Sequence, residues 1–258
     1  MHSPSRRLDR TTALFLGLHI VIMFAGFSIL GPAFDFPEVL RYPAAERFAL
    51  FSANSDVIRP TYWALTMTGL TQILLSVLLH QLLQPHAPTR ALLLLVFGTL
   101  AGLCQALGFG RWVILIPWLV SEAADPDKAA MAAMLEGAFN HYAGMLVGEH
   151  IANLCWAVWL AATSLILRKM PGLSAGFGWC GLVLSALMLL LAGEQIGVSG
   201  DVLDVLVAFG FPLLGAWHIL LAIMLWRRND AASFPGMGAY VASIGVLLFA
   251  GMTVPAIL

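Results

Sequence analysis

Long apolar runs recur along the whole chain, and they constrain its fold more than any other feature. A helix of about 20 apolar residues crosses the hydrocarbon core of a bilayer, and seven runs reach that length. Only 10% of the 258 residues are charged and the mean hydropathy is +0.88, outside the usual range of soluble domains. The sequence therefore predicts an all-α polytopic transmembrane helix bundle that forms one integral membrane domain over residues 1–258.

The predicted spans vary in length and in their breaks. They cover residues 12–34, 62–83, 90–120, 129–168, 175–196, 202–226 and 236–258. Six of them form the core prediction, and the run 236–258 is interpreted as an added seventh span. The third and fourth are too long for one crossing. The third therefore tilts, breaks or projects beyond the bilayer, and Gly108-Phe109-Gly110 is the natural place for a break.

Two segments flank the first span. Residues 1–11 are basic and are predicted to be a cytoplasmic tail. Residues 35–58 mix charges with apolar side chains at helical spacing, which predicts an external amphipathic helix on the membrane surface. On that helix Leu40, Ala44, Phe48 and Phe51 are expected to face lipid.

Lys and Arg are distributed unevenly between the two sets of span ends. Eight of these residues lie at one set of ends and five at the other, where most of the acids also lie. Because cytoplasmic loops carry more Lys and Arg, we predict a cytoplasmic amino terminus, an external carboxyl terminus, and cytoplasmic loops at 84–90, 168–174 and 227–235.

Several classes of function find no support in the sequence. The net charge of −1 argues against a nucleic-acid partner. No nucleotide-binding, hydrolase or zinc-protease motif is present, so no cofactor can be named. Cys104, Cys155 and Cys180 lie in apolar runs without CxxC spacing, and we interpret them as core residues rather than metal ligands or disulfides.

The run 140–159 is unusual because it carries an acid, two histidines and two amides within apolar sequence. Ionisable groups inside apolar helices face a bundle interior and pair with one another. Counting from the cytoplasmic ends places Glu149 level with Arg111 and Glu194 near the outer boundary. We therefore predict an outward-facing buried polar pocket in which Arg111 and Glu149 form an ion pair.

This pocket has two interpretations. In the first, the protein handles a small or lipid-like ligand, with Glu149 and His150 as catalytic acid–base groups and Arg111 holding an anionic group. Its other ligand-binding candidates are Glu194 together with Tyr142 and Asn153, which share a helical face with Glu149. In the second, the charged pairs only lock helices together in an assembly subunit of a membrane complex.

His19 and His218 are predicted to lie at one depth in the cytoplasmic third of the bilayer. Two histidines at one depth can ligate a haem axially. The alternative is that each histidine hydrogen-bonds a neighbouring backbone or hydroxyl group.

The sequence resembles a widespread group of bacterial membrane proteins that is known as a domain of unknown function. The resemblance covers about residues 12–226 and rests on Arg111-Trp112, Pro117, Asn140–Gly144 (NHYAG), Gly148–His150 (GEH), Trp156 and Trp159. It implies a helical multi-span fold in a bacterial inner membrane and carries no activity with it.

Overall fold

The chain folds into helices throughout the part that the structure describes. The structure is a computed structural model and describes residues 4–170, 173–197 and 200–228. Its α-helices are α1 (Pro4–Phe34), α2 (Ala44–Ala53), α3 (Ser55–Leu83), α4 (Pro88–Ala123), α5 (Ala129–Phe139), α6 (Ala152–Leu167), α7 (Ala175–Leu191) and α8 (Asp201–Arg227). Short 3₁₀ turns cover Glu38–Arg41 and Ala192–Ile196, and a π-helix covers Asn140–Ile151.

Six helical stretches of the described chain are long and apolar enough to cross a membrane. They confirm the first six predicted spans, because hydropathy over a whole run is a strong signal. Many large apolar side chains on these helices are exposed at the bundle surface, for example Leu14, Val21, Ile114 and Val183. Such a surface is suited to lipid. The predicted seventh span, 236–258, lies outside the described residues.

The predicted break in the third span is wrong. Helix α4 continues through Gly108-Phe109-Gly110 for 36 residues, or about 54 Å at 1.5 Å per residue. A Cβ on Gly108 would lie 3.0 Å from the Cα of Gly148. The glycine therefore serves the close approach of two helices instead of a kink.

The fourth span is one helical stretch whose middle turns have π geometry. The π segment, Asn140–Ile151, connects α5 to α6 and contains the polar residues that the sequence singled out. A π-helix bonds i to i+5, so its faces do not follow the 3.6-residue period of an α-helix. The side chains of this segment that face the bundle are therefore not the ones that α-helical spacing predicts.

We predicted that the aromatic side chains of the segment after α1 face lipid, and this prediction is wrong. Helix α2 covers only Ala44–Ala53, and α3 already begins at Ser55. Phe48 and Phe51 are buried and pack in one cluster with Phe34 and Trp112. Because they cover an apolar core that would otherwise be open, α2 closes one end of the bundle.

A side-chain hydrogen bond joins the two ends of the loop between α1 and α2. The Tyr42 hydroxyl donates to the Asp35 carboxylate, across a turn in which Asp35 has a φ of 51°. This hydrogen bond raises the pKa of Tyr42 above its ordinary value.

The bundle has two chemically distinct ends. At the amino-terminal end, Arg228 after α8 lies 3.6 Å from Asp9 of α1, and Arg168 lies over the Trp179 ring at 4.1 Å. At the opposite end, which we call the α2 end, lie α2 and the turns after α4 and α7. The residues discussed below as a site belong to the α2 end.

A small-residue contact between α3 and α4 gives a stability prediction. A Cβ on Gly102 would lie 2.5 Å from the Gly69 carbonyl oxygen, and neither backbone can move freely. We expect Gly102→Ala to lower the free energy of unfolding by about 1–3 kcal/mol, as over-packing usually does. Gly17→Ala is the matched control, because nothing lies within 4 Å of that position. Equal unfolding curves for the two variants in detergent would contradict the contact.

Candidate anion-binding site at the α2 end

Arg111 points from α4 toward the π segment and bonds only to neutral acceptors. Its Nη1 donates to the Gly108 carbonyl at 2.6 Å, and its Nη2 donates to Asn140 Oδ1 at 3.1 Å. Its guanidinium carbon lies 5.1 Å from the centre of the Trp112 ring. The charge of Arg111 is therefore held in place without a directly contacting carboxylate among the described residues.

Gly144 makes the space that the guanidinium occupies. A Cβ at this position would lie 2.7 Å from Arg111 Nη2 and 2.9 Å from Arg111 Cζ. No larger residue fits there without moving the cation. This explains physically why the π segment presents a glycine one turn after Asn140.

A buried ion pair joins α2 to α5. Arg47 Nη2 donates to Glu136 Oε2, and both residues are buried. Arg47 also donates to the Leu40 carbonyl at 3.1 Å, and Asn140 Nδ2 approaches the same oxygen at 3.5 Å. Asn140 thus connects the loop before α2 to Arg111.

Sequence reasoning missed this pair. Glu136 lies in an apolar run, AAMAAMLEGAF, so the rule that singled out Glu149 applies to it equally. Nothing in the sequence could show that its partner is Arg47, because that contact depends on how α2 folds back onto the bundle.

In the part of the chain that the structure describes, the Nε of Arg111 and the hydroxyl of Tyr62 are buried without a hydrogen-bond partner. Tyr62 is only 1% exposed, and its ring stacks on Trp112 with centroids 5.2 Å apart. Phe34 meets the same indole edge-on at 4.9 Å. Unpaired donors of this kind are uncommon in folded proteins, and here they lie in an aromatic wall next to a cation.

The predicted Arg111–Glu149 ion pair is not formed. Glu149 Oε2 accepts a hydrogen bond from Gln195 Nε2 at 2.7 Å. Arg111 makes no direct contact with Glu149 or Glu136, and their charges attract it only at longer range. Arg111 lies against Asn140 and Gly144, whereas Gly148, the neighbour of Glu149, packs on Gly108 of α4.

His150 and Glu194 also have partners at the α2 end. His150 Nδ1 donates to the Ala192 carbonyl at 2.8 Å. Glu194 pairs with Arg41 at 2.6 Å. Together with the Gln195–Glu149 bond, these contacts tie the π segment and the α1–α2 loop to the Ala192–Ile196 turn.

Tyr142 and Asn153 do not join Glu149 on one face. Tyr142 is 64% exposed and lies on the outside of the bundle, while Asn153 is half-buried at the start of α6. The prediction assumed α-helical spacing, and the π geometry separates these positions. Neither residue contacts Arg111.

His19 and His218 are brought together, as their common depth predicted, but a haem does not fit between them. Their ring centroids are 6.1 Å apart and both side chains are buried. The Trp156 ring lies within 6.4 Å of His19 and 5.7 Å of His218, so it fills one side of the gap that a macrocycle needs. Among the described residues, no group of three or more His, Cys, Asp or Glu side chains is arranged to hold a metal ion.

Comparison with known proteins gives a family but no activity. A family model described as "Domain of unknown function (DUF4386)" matches residues 11–226. No curated protein matches the chain, and no solved structure matches it. The matched region includes the six helices that can cross a membrane, the π segment and Arg111. The chain therefore belongs to the DUF4386 family.

Proposed function

We propose that this protein binds the anionic headgroup of a small or lipid-like molecule at Arg111, on the outer side of a bacterial inner membrane. The observation that carries the proposal is the pair of buried donors without a partner, Arg111 Nε and the Tyr62 hydroxyl. The first belongs to a guanidinium whose hydrogen bonds to the described residues go only to neutral groups. The second belongs to a ring that stacks on Trp112, next to the same guanidinium.

An anion supplies what this arrangement lacks. Arg111 is half-buried, and a charge removed from water is costly unless it is paired and hydrogen-bonded. Carboxylate and phosphate oxygens accept from a guanidinium in a two-pronged geometry, and a tyrosine hydroxyl supplies one further donor. A bound carboxylate or phosphate would satisfy both unpaired donors and neutralise Arg111 at once.

The surroundings favour an amphiphile over a fully polar anion. Phe34, Tyr62 and Trp112 form an apolar wall beside the guanidinium, which suits a hydrocarbon chain. One turn before Tyr62, the exposed Arg59 donates through Nε to the Val113 carbonyl at 3.2 Å. This second cation lies at the surface on the same side and would attract an anionic headgroup.

The predicted acid–base roles of Glu149 and His150 stay predictions. Both residues bond to the Ala192–Ile196 region, and neither contacts Arg111. The predicted alternative, a purely structural role in a complex, describes the Arg47–Glu136 pair better than Arg111, because the two opposite charges of that pair contact each other.

Native mass spectrometry of the gently purified protein tests the binding proposal. We expect one anionic species, a fatty acid or an anionic phospholipid, to remain bound to the wild type and to be lost from Arg111→Gln. Arg41→Gln is the matched control, because it removes an exposed cation at the same end, and it should retain the species. A wild type that carries only neutral lipid, or an Arg111→Gln variant that keeps the anion, would contradict the proposal.

The proposal also requires the α2 end to face outward. The excess of Lys and Arg at the amino-terminal end predicts this orientation. In a variant without the three cysteines, we expect Asp125→Cys to react with a membrane-impermeant thiol reagent in intact cells. We expect His86→Cys, in the exposed turn before α4, to react only after lysis. Reversed labelling would show that the α2 end is cytoplasmic.

A further inference from the structure

His19 of α1 and His218 of α8 form a second polar site, remote from Arg111 and without an assigned role. His218 is 0% exposed and His19 is 2% exposed. Their rings are nearly parallel, with an interplanar angle of 23° and centroids 6.1 Å apart. His218 Nε2 is buried and finds no hydrogen-bond partner among the described residues.

The hydrogen bonds of the two rings determine their tautomers. His218 Nδ1 lies 2.8 Å from the Leu214 carbonyl, which can only accept. His19 Nδ1 lies 2.8 Å from Thr71 Oγ1, and that hydroxyl gives its own hydrogen to the Thr68 carbonyl. Both histidines therefore carry their proton on Nδ1, so each Nε2 presents a lone pair.

This is the arrangement of metal-ligating histidines. A ligating imidazole usually donates its other N–H to a carbonyl or similar group, which orients the ring and makes it more basic. Two metal–nitrogen bonds of about 2 Å each, with about 1 Å from each nitrogen to its ring centre, span about 6 Å. The 6.1 Å between the two ring centres is close to this span in length, and the rings lie in nearly parallel planes.

The surroundings restrict the charge and coordination number of that ion. No third His, Cys, Asp or Glu joins the pair among the described residues. Zinc usually needs four ligands, and a divalent ion with only neutral ligands would be strongly destabilised in the bundle interior. Trp159 lies parallel to the His218 ring at 5.5 Å, and its π-system favours a nearby cation. A monovalent ion that accepts two imidazoles fits best.

We propose that His19 and His218 bind one Cu(I) ion through their Nε2 atoms. The ion would be two-coordinate and enclosed by Trp156, Trp159 and Trp217, all within the same apolar core. It would satisfy the unpartnered His218 Nε2. The proposal does not depend on the anion site, because the two sites share no residue.

Anaerobic titration of the purified full-length protein with Cu(I), against a chromophoric Cu(I) chelator, tests the proposal. We expect one equivalent to bind the wild type and His80→Ala, and binding at least tenfold weaker in His19→Ala and in His218→Ala. Cys104 and Cys155 are buried in the same core. The variant Cys104→Ala with Cys155→Ala must therefore keep its Cu(I) site.

X-ray absorption of the copper-loaded wild type decides the case even where a histidine variant folds poorly. We expect nitrogen neighbours with imidazole outer-shell scattering and no sulfur. Sulfur scattering, loss of binding in the double cysteine variant, unchanged binding in His218→Ala, or a wild type that takes up no Cu(I) would each overturn the proposal.

Discussion

Replacing Glu136 by alanine is expected to lower the free energy of unfolding by about 3–5 kcal/mol, the usual cost of removing one partner of a buried ion pair. The change strands the Arg47 guanidinium, which is only 5% exposed, beneath α2. Because Arg47 also bonds to the loop at Leu40, we expect α2 to detach before the rest of the bundle unfolds. Equilibrium unfolding in detergent, followed by the helical circular dichroism signal, measures the loss.

Two further variants separate the ion pair from general effects of charge. Glu194→Ala breaks the Arg41–Glu194 pair, whose side chains are 50% and 35% exposed, and should cost at most about 1 kcal/mol. The double variant Arg47→Met with Glu136→Leu removes both buried charges and should regain most of the loss. If Glu136→Ala unfolds like Glu194→Ala, the pair is not buried in the way the structure shows.

The helices were predictable because each leaves a signal in its own sequence. A run of apolar residues predicts a span whatever tertiary contacts it makes, and six described helices confirm this. The uninterrupted α4 was not predictable, because Gly108 breaks a helix in one context and allows helix packing in another.

The candidate site was only partly predictable, because its contacts depend on local geometry. Sequence reasoning found Arg111, and it placed His19 and His218 at the same depth. It assigned the wrong partner to Arg111 and the wrong face to Tyr142. Both errors come from the π segment, since α-helical spacing does not hold between Asn140 and Ile151. Asn140 accepts a hydrogen bond from Arg111. Its place in the NHYAG motif was the signal in the sequence that could have marked it as a site residue.

Removing the charge of Arg111 should abolish stabilisation by an anionic amphiphile, and filling the space beside its guanidinium should weaken that stabilisation. A ligand present at 100 times its dissociation constant stabilises the folded state by about 2.7 kcal/mol, and Arg111→Gln should lose all of this. Gly144→Ala keeps the charge but places a Cβ 2.7 Å from Nη2, so it should weaken the ligand effect by displacing the guanidinium. Gly137→Ala is its control, since nothing lies within 4 Å of that position, and it should respond like the wild type.

The most direct measurement is the shift in unfolding temperature on adding soluble short-chain amphiphiles to the protein in a neutral detergent. Dihexanoyl phosphatidic acid and octanoate carry the anion, while dihexanoylglycerol and octanol are their neutral counterparts. We expect at least one anionic compound to raise the unfolding temperature of the wild type and of Gly137→Ala, and to leave Arg111→Gln unchanged. The neutral compounds should leave all three unchanged. Equal shifts with anionic and neutral compounds, or an equal shift in Arg111→Gln, would contradict an anion site at Arg111.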